Sequence, residues 1–180
     1  MTPTTYKQGS KNVAIQFAVK QTGLGFVLVA ASPTGICVIS LGDTAAELTA
    51  QLQAQFPNAK LHAGDLEFDL WIKAVVTAIE ISQPAVNLPL DIQGTVFQQR
   101  VWQELQTIPC GSTVSYGAIA QQIGNPKAVR AVARACASNQ LAILIPCHRV
   151  VGSDGALRGY RWGTDRKRML LEREADHIMI

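Results

Sequence analysis

The chain of 180 residues contains no stretch near the roughly 18 continuous apolar residues that a membrane-spanning helix needs. Its N-terminus has no charged segment followed by an apolar one, so no secretory signal is visible and a cytoplasmic setting is expected. Cysteine is sparse and unpaired: Cys37, Cys110, Cys136 and Cys147 show no common spacing, which argues against a disulfide framework and for reduced thiols. There is no CxxC or HxxxH pair, and Cys37 and His62 are the only soft ligands of the first half. Zinc is therefore not expected, and no other metal or cofactor is implied. Charged residues make up only 16% against 48% hydrophobic ones, which excludes a disordered chain and leaves a folded globular one. Repeats and low-complexity tracts are absent too.

What charge there is divides unevenly. Residues 1–90 carry five Lys/Arg and six Asp/Glu, a net of −1, while residues 91–180 carry eleven and seven, a net of +4. Nine of those eleven cations are arginine. Either this is ordinary surface variation or the second half meets an anionic partner.

The chain reads as an α+β fold of two units. In residues 1–90, the runs 13–19, 25–31 and 35–41 are rich in Val, Ile and Phe and separated by Gly or Pro signals, which predicts a small antiparallel sheet. A helix is expected from Asp43 or Thr44 to about Gln55, and a second from Asp65 to Ile81. The prolines of 83–89 mark a linker, with the boundary near 83–93. Residues 91–180 read as mostly helical. Thr95 followed by Gln98 is a capping-box signature, and the helix it opens stops at Pro109 and Gly111. Ser115 starts a short helix over 116–123 that ends at Gly124. Asn125 and Pro126 read as the cap and first position of another helix reaching Ser138, so the two form a helix-turn-helix. A last helix is expected from Thr164 to about Ala175.

The second helix of that pair is rich in alanine, with Arg130 and Arg134 at i and i+4 on one side. It has few long polar side chains for reading base edges in a major groove. Small residues instead allow close approach to a narrow surface, with a long cation available to enter a base stack. Tight packing in a core would also explain the alanines. The Asn125 cap offers a phosphate seat as well.

Chemistry concentrates at Pro146-Cys147-His148-Arg149-Val150, which follows the apolar run 141–145. A lone cysteine is more often packing than catalysis. Here His148 and Arg149 adjoin it and both could stabilise a thiolate, Pro146 stiffens the turn, and Glu172 or Glu174 in the last helix could polarise His148. A Cys–His–Glu relay is one way to generate a thiolate near neutral pH.

The run Ile145-Pro146-Cys147-His148-Arg149-Val150 resembles the active-site motif of the O6-alkylguanine-DNA alkyltransferases. So do Ile108-Pro109-Cys110-Gly111, Val114-Ser115-Tyr116, the stretch from Gly124 to Val132, Asn139, and Gly159-Tyr160-Arg161-Trp162-Gly163. The resemblance is dense over 92–176 and loose before residue 90, and it is nearest to the C-terminal repair half of Ada-type regulators. It implies a ribonuclease H-like N-terminal unit of structural role and a C-terminal helix-turn-helix unit that accepts the alkyl group. It implies irreversible, single-turnover transfer of a methyl or alkyl group from guanine O6, with thymine O4 as an alternative donor, to Cys147. His148 acting through water and Glu174, preferred over Glu172, would form the relay. Asn139 would hold the turn before Cys147, and Tyr116 would serve the leaving group and crowd the phosphate. Arg130 would replace the extruded base, Asn125 and Ser153 would touch the DNA backbone, and Val150 with Tyr160 would line the base pocket. The partner would be double-stranded DNA carrying O6-alkylguanine, bound in the minor groove by a monomer. Extrusion of the base is physically required to reach a buried thiol.

Two residues stand out against that pattern. Arg158 occupies a position where related sequences mostly have a small or polar residue, and is expected to narrow the pocket or add a phosphate contact. Cys136 is a second thiol near the DNA face and is expected to be neutral. Residues 1–9 resemble the close of AraC-type DNA-binding domains, which suggests a piece of, or descendant from, a longer regulator. Other readings are a non-reacting sensor of alkylated bases, a Cys–His–Glu hydrolase and a plain repressor. The acceptor cysteine argues against the first. The second has no Gly-rich oxyanion candidate flanking Cys147, and the third is poor in base-reading side chains.

Overall fold

The computed structural model describes residues 13–82 and 87–178. The opening segment 1–9 and residues 83–86 of the expected linker lie outside the described residues. The three expected strands form β1 (Ala14–Thr22), β2 (Gly25–Ser32) and β3 (Gly35–Gly42), each antiparallel to the next. The sheet is not purely antiparallel, however. A fourth strand, β4 (Lys60–Ala63), pairs parallel with β1, giving the order β3–β2–β1–β4. Helix α1 (Ala45–Gln55), capped by Thr44, carries the chain from the β3 edge across the sheet to the β1 edge, and such a crossover returns the strand parallel. Sequence reading missed β4 because it is four residues long, mostly exposed and without a β-branched side chain.

The period of two along β2 divides the interior. Val27, Val29 and Ala31 face one buried cluster and Leu28 and Ala30 the other. The smaller cluster is closed by Leu48 and Leu52 of α1. The larger is closed by Phe68, Ile72, Val75 and Ile79 on one stripe of α2 (Leu66–Ile81), capped by Asp65. A bulge at Cys37 turns both Cys37 and Val38 to the α1 side.

The larger cluster continues into the second half of the chain. It takes in Val101, Trp102 and Leu105 of α3 (Val96–Gln106), Ile119 and Ala120 of α4 (Tyr116–Gln122), and Val132 and Ala135 of α5 (Val129–Ala137). The expected capping box opens α3: Gln98 N donates to Thr95 Oγ1 at 3.2 Å and Thr95 N to Gln98 Oε1 at 2.8 Å. The free edge of β3 is taken by segments from beyond residue 88. Ile36 N donates to Pro89 O at 2.8 Å and Ile39 N to Gln140 O at 2.8 Å. Gly35 makes this approach possible. Its φ is +153°, and a Cβ there would lie 2.6 Å from the Pro89 carbonyl oxygen.

Asn125 is not a helix cap. It opens a turn in which Ala128 N donates to Asn125 O at 2.9 Å, and α5 starts only at Val129, with no side-chain cap at Ala128. Asn followed by Pro suits the first two positions of such a turn as well as a helix start, and the turn prevails here. The last helix, α6 (Thr164–Ile178), lies against α2 and the turn carrying Cys147. Among the described residues no helix is long and apolar enough to cross a membrane.

Candidate active site

The apolar run before Cys147 does not form a strand. Ile143 has φ +72° and Leu144 N donates to Ala142 O at 2.8 Å, a tight three-residue turn that is strained for a β-branched side chain. Pro146, at φ −79° and ψ 60°, makes a second such turn of the relaxed kind, closed by Cys147 N to Ile145 O at 2.8 Å. Residues Cys147–Arg149 then form one 3₁₀ turn leading into β6 (Val150–Val151). The two-residue strand β6 pairs parallel with β5 (Val114–Ser115), which caps α4 through Ser115. That short pairing sets Tyr116 beside the thiol.

Asn139 fixes the turn. Fully buried, it accepts from Leu141 N at 2.9 Å, and its Nδ2 donates to Ile145 O at 2.9 Å and to Cys147 Sγ at 3.2 Å. Burial pushes the Cys147 thiol up to about 11, against the pull of Asn139 and the charges of Lys167 and Arg161. At pH 7 it is therefore a thiol, and ionising it costs roughly 5 kcal/mol.

Glu174 is buried, and burial alone would raise its pKa. Hydrogen bonds from His148, Arg149 and the Gly111 amide outweigh that and hold it at about 2. Arg149 clamps the carboxylate with Nε at 3.1 Å from both oxygens, and Gly111 N donates to Oε2 at 3.0 Å. An ionised Glu174 accepts only, so the 2.8 Å contact with His148 Nε2 requires the proton on Nε2. Burial keeps His148 below its ordinary pKa despite Glu174, which leaves a neutral ring with a bare Nδ1. That Nδ1 is buried and has no partner among the described residues.

A pocket of about 430 Å³ opens above Cys147, lined by Tyr116, Arg130, Cys136, Arg158 and Tyr160 among others. A second hollow of about 440 Å³ lies behind the His148–Glu174 pair and does not reach the thiol. Of the residues picked from the sequence, Cys147, His148, Glu174 and Asn139 form one buried unit, and Tyr116, Arg130 and Tyr160 face the pocket. Val150 does not line it. It is fully buried in β6, and its carbonyl accepts from Lys167 at 2.5 Å. Asn125 and Ser153 are exposed on turns outside the pocket. Glu172 is exposed on α6 while Glu174 is buried. Arg149, expected beside the thiolate, is instead committed to Glu174 and to Ile108 O at 2.6 Å.

Lys167 was not anticipated. Fully buried, its Nζ donates to the carbonyls of Val150, Arg158 (3.1 Å) and Gly159 (3.3 Å), and it lies 5.9 Å from the Tyr116 ring centroid. The spacing of Lys167, Leu170 and Glu174 on one buried stripe of α6 was the available signal. Burial raises the Cys136 thiol to about 12, so it is neutral. Among the described residues no cluster of three or more His, Cys, Asp or Glu is placed to hold a metal ion.

Fold and site together define a cysteine-centred α+β protein, in which a buried thiol and an arginine-bearing helix share one pocket and a buried His–Glu pair adjoins the thiol outside it. Residues 96–176 match the family model described as 6-O-methylguanine DNA methyltransferase, DNA binding domain. The methylated-DNA–protein-cysteine methyltransferase of Haemophilus influenzae is 37% identical over 79% of this chain and 82% of its own length. The structure of Mycobacterium tuberculosis OGT in complex with DNA superposes with a TM-score of 0.75, at 33% identity, over 92% of this chain and 94% of that one. The chain belongs to the methylated-DNA–protein-cysteine methyltransferase family. It is also 52% identical, over 98% of its length, to the bifunctional transcriptional activator/DNA repair enzyme Ada of Escherichia coli K12, of which it spans 50%.

Proposed function

We propose that this chain repairs DNA by moving a methyl or small alkyl group from guanine O6 to Cys147, once per molecule. The observation that carries the reading is the thiol at the floor of a pocket, with an ionised Glu174 and a bare His148 Nδ1 behind it. Cys147 gives its proton, through a bridging water, to Nδ1, and the imidazolium that forms is paired with Glu174. Sγ attacks the alkyl carbon opposite O6. The S–C bond forms as C–O6 breaks, the electron pair passes to O6, and the guanine anion takes up a proton from water while the His148 imidazolium returns its extra proton to water, leaving no net charge. Tyr116 supports that leaving group by hydrogen bonding. The cysteine thiolate is a poor leaving group from an unactivated thioether, so the product persists.

The short helices α4 and α5 act as a helix-turn-helix laid in the minor groove, where small side chains on α5 permit close approach. Arg130 and Arg134 are exposed and have no partner among the described residues, which suits contact with the duplex. Arg130, at the pocket, takes the place of the extruded base. Asn125 and Ser153 contact the backbone, and Tyr160 lines the base site. The divide near residue 90 separates a supporting unit from the reacting one.

Intact mass after incubation with an O6-methylguanine duplex tests the reading. One added methyl group per chain, lost in Cys147→Ala, is expected. Many substrates converted per chain would overturn the mechanism, and tight binding without mass gain would favour a non-reacting sensor. O4-alkylthymine can be tried in the same assay. Arg130→Ala is expected to slow reaction with duplex more than with the free base, and equal losses would remove its stacking role.

A further inference from the structure

The pocket wall opposite α5 is the loop over residues 152–161, and it carries a cation that the alkyl-transfer steps do not use. Arg158 lines the pocket with Cys147, Tyr116 and Arg130. Its backbone is pinned, since the carbonyl accepts from Tyr116 Oη at 3.0 Å and from Lys167 Nζ at 3.1 Å. Its side chain is 65% exposed yet held in place: Nη2 donates to Asp154 Oδ2 at 2.7 Å. Asp154 is itself fixed by the Ala156 amide, which donates to Oδ1 at 3.1 Å. Gly152 makes room for the pair. A Cβ there would lie 2.4 Å from Asp154 Oδ1 and 3.0 Å from Arg158 Nε. The guanidinium is thus seated at the pocket rim by a bond that is exposed to water and easily exchanged.

We propose that Arg158, tethered to Asp154 at the rim of the thiol pocket, is a specificity-determining gate that passes small alkyl groups to Cys147 and slows bulky ones. A methyl group reaches Sγ with the rim in place. A benzyl group needs space beside the guanine, which the long arginine occupies while Asp154 holds it. Breaking the tether lets the side chain swing outward about a backbone that Lys167 keeps still. The proposal rests on the alkyl-transfer reading.

The test compares wild type, Arg158→Ser and Asp154→Asn on two substrates, an O6-methylguanine duplex and free O6-benzylguanine, with alkylation of Cys147 followed by intact mass over time. The rate of benzylation is expected to rise about two- to fivefold in Asp154→Asn with methyl transfer unchanged, so that the benzyl-to-methyl ratio rises equally, the range that an exposed ion pair supports. A larger rise is expected in Arg158→Ser. An unchanged ratio in Arg158→Ser would overturn the gate, and a rise confined to that variant would overturn the tether. A loss of duplex methyl transfer in Arg158→Ser with unchanged benzylation would make Arg158 a phosphate contact and overturn the gate equally. Failure of the wild type to take up methyl counts against the alkyl-transfer reading itself, while the benzyl arm still reads the gate.

Discussion

Asn139 ties three points of the turn before the thiol together. Its amide holds Leu141, Ile145 and Cys147 at once, so Asn139→Ala removes a hydrogen bond to sulfur and orphans buried backbone groups. We expect a loss of about 3 kcal/mol in denaturant unfolding. The Cys147 pKa is expected to rise as well, read from thiolate absorbance against pH, since Asn139 is the largest influence lowering it. His148 and Glu174 set the acid limb of stability. Glu174 is held below its unfolded value, so its contribution is complete above about pH 4.5 and is lost as pH falls toward about 2. His148 is also lowered, so the unfolded chain takes up its proton first and stability declines from pH 6.5 downward. Both act in the same direction. In Glu174→Gln the decline between about pH 4.5 and 2 is expected to flatten, measured by unfolding at each pH.

The elements differ in how far they could be read from sequence. The start of α3 was legible because Thr95 and Gln98 satisfy each other locally, with no help from the rest of the fold. Thr95→Ala is expected to cost about 1 kcal/mol in thermal or denaturant unfolding. β4 was not legible, because its pairing depends on where α1 delivers it. Asn125-Pro126 was ambiguous, because a turn and a helix cap use the same residues. At the site, Cys147, His148, Glu174 and Asn139 could be found from motif and resemblance. The role of Lys167 could not, since three carbonyls, one from β6 and two from the loop over 152–161, converge on it only in the folded chain.

Across the whole molecule one buried cluster runs from β2 and α2 through α3, α4 and α5 to Cys147. The edge of β3 is joined to residues 89–91 and 140–142, and the latter lie in the loop that leads to the thiol. Gly35→Ala would press a methyl into the Pro89 backbone at a φ unsuited to L side chains. We expect about 3 kcal/mol of destabilisation in denaturant unfolding. The proposed alkylation of Cys147 should slow with it, because residues 140–142, in the loop that leads to the thiol, bond to the same strand edge. Residues on both sides of residue 90 therefore share one interior.

The raised pKa and burial of Cys147 bear on how the molecule survives before it is used. Under the proposed single-use transfer, a stray electrophile that reaches the thiol first would waste the molecule. Held as a neutral thiol out of solvent, Cys147 is the wrong target for small oxidants and alkylators in the surrounding water, while the half-exposed Cys110 meets them sooner. Under that proposal shelf life and selectivity come from the same burial: the sulfur would stay unspent until a base of the right shape is pushed against it.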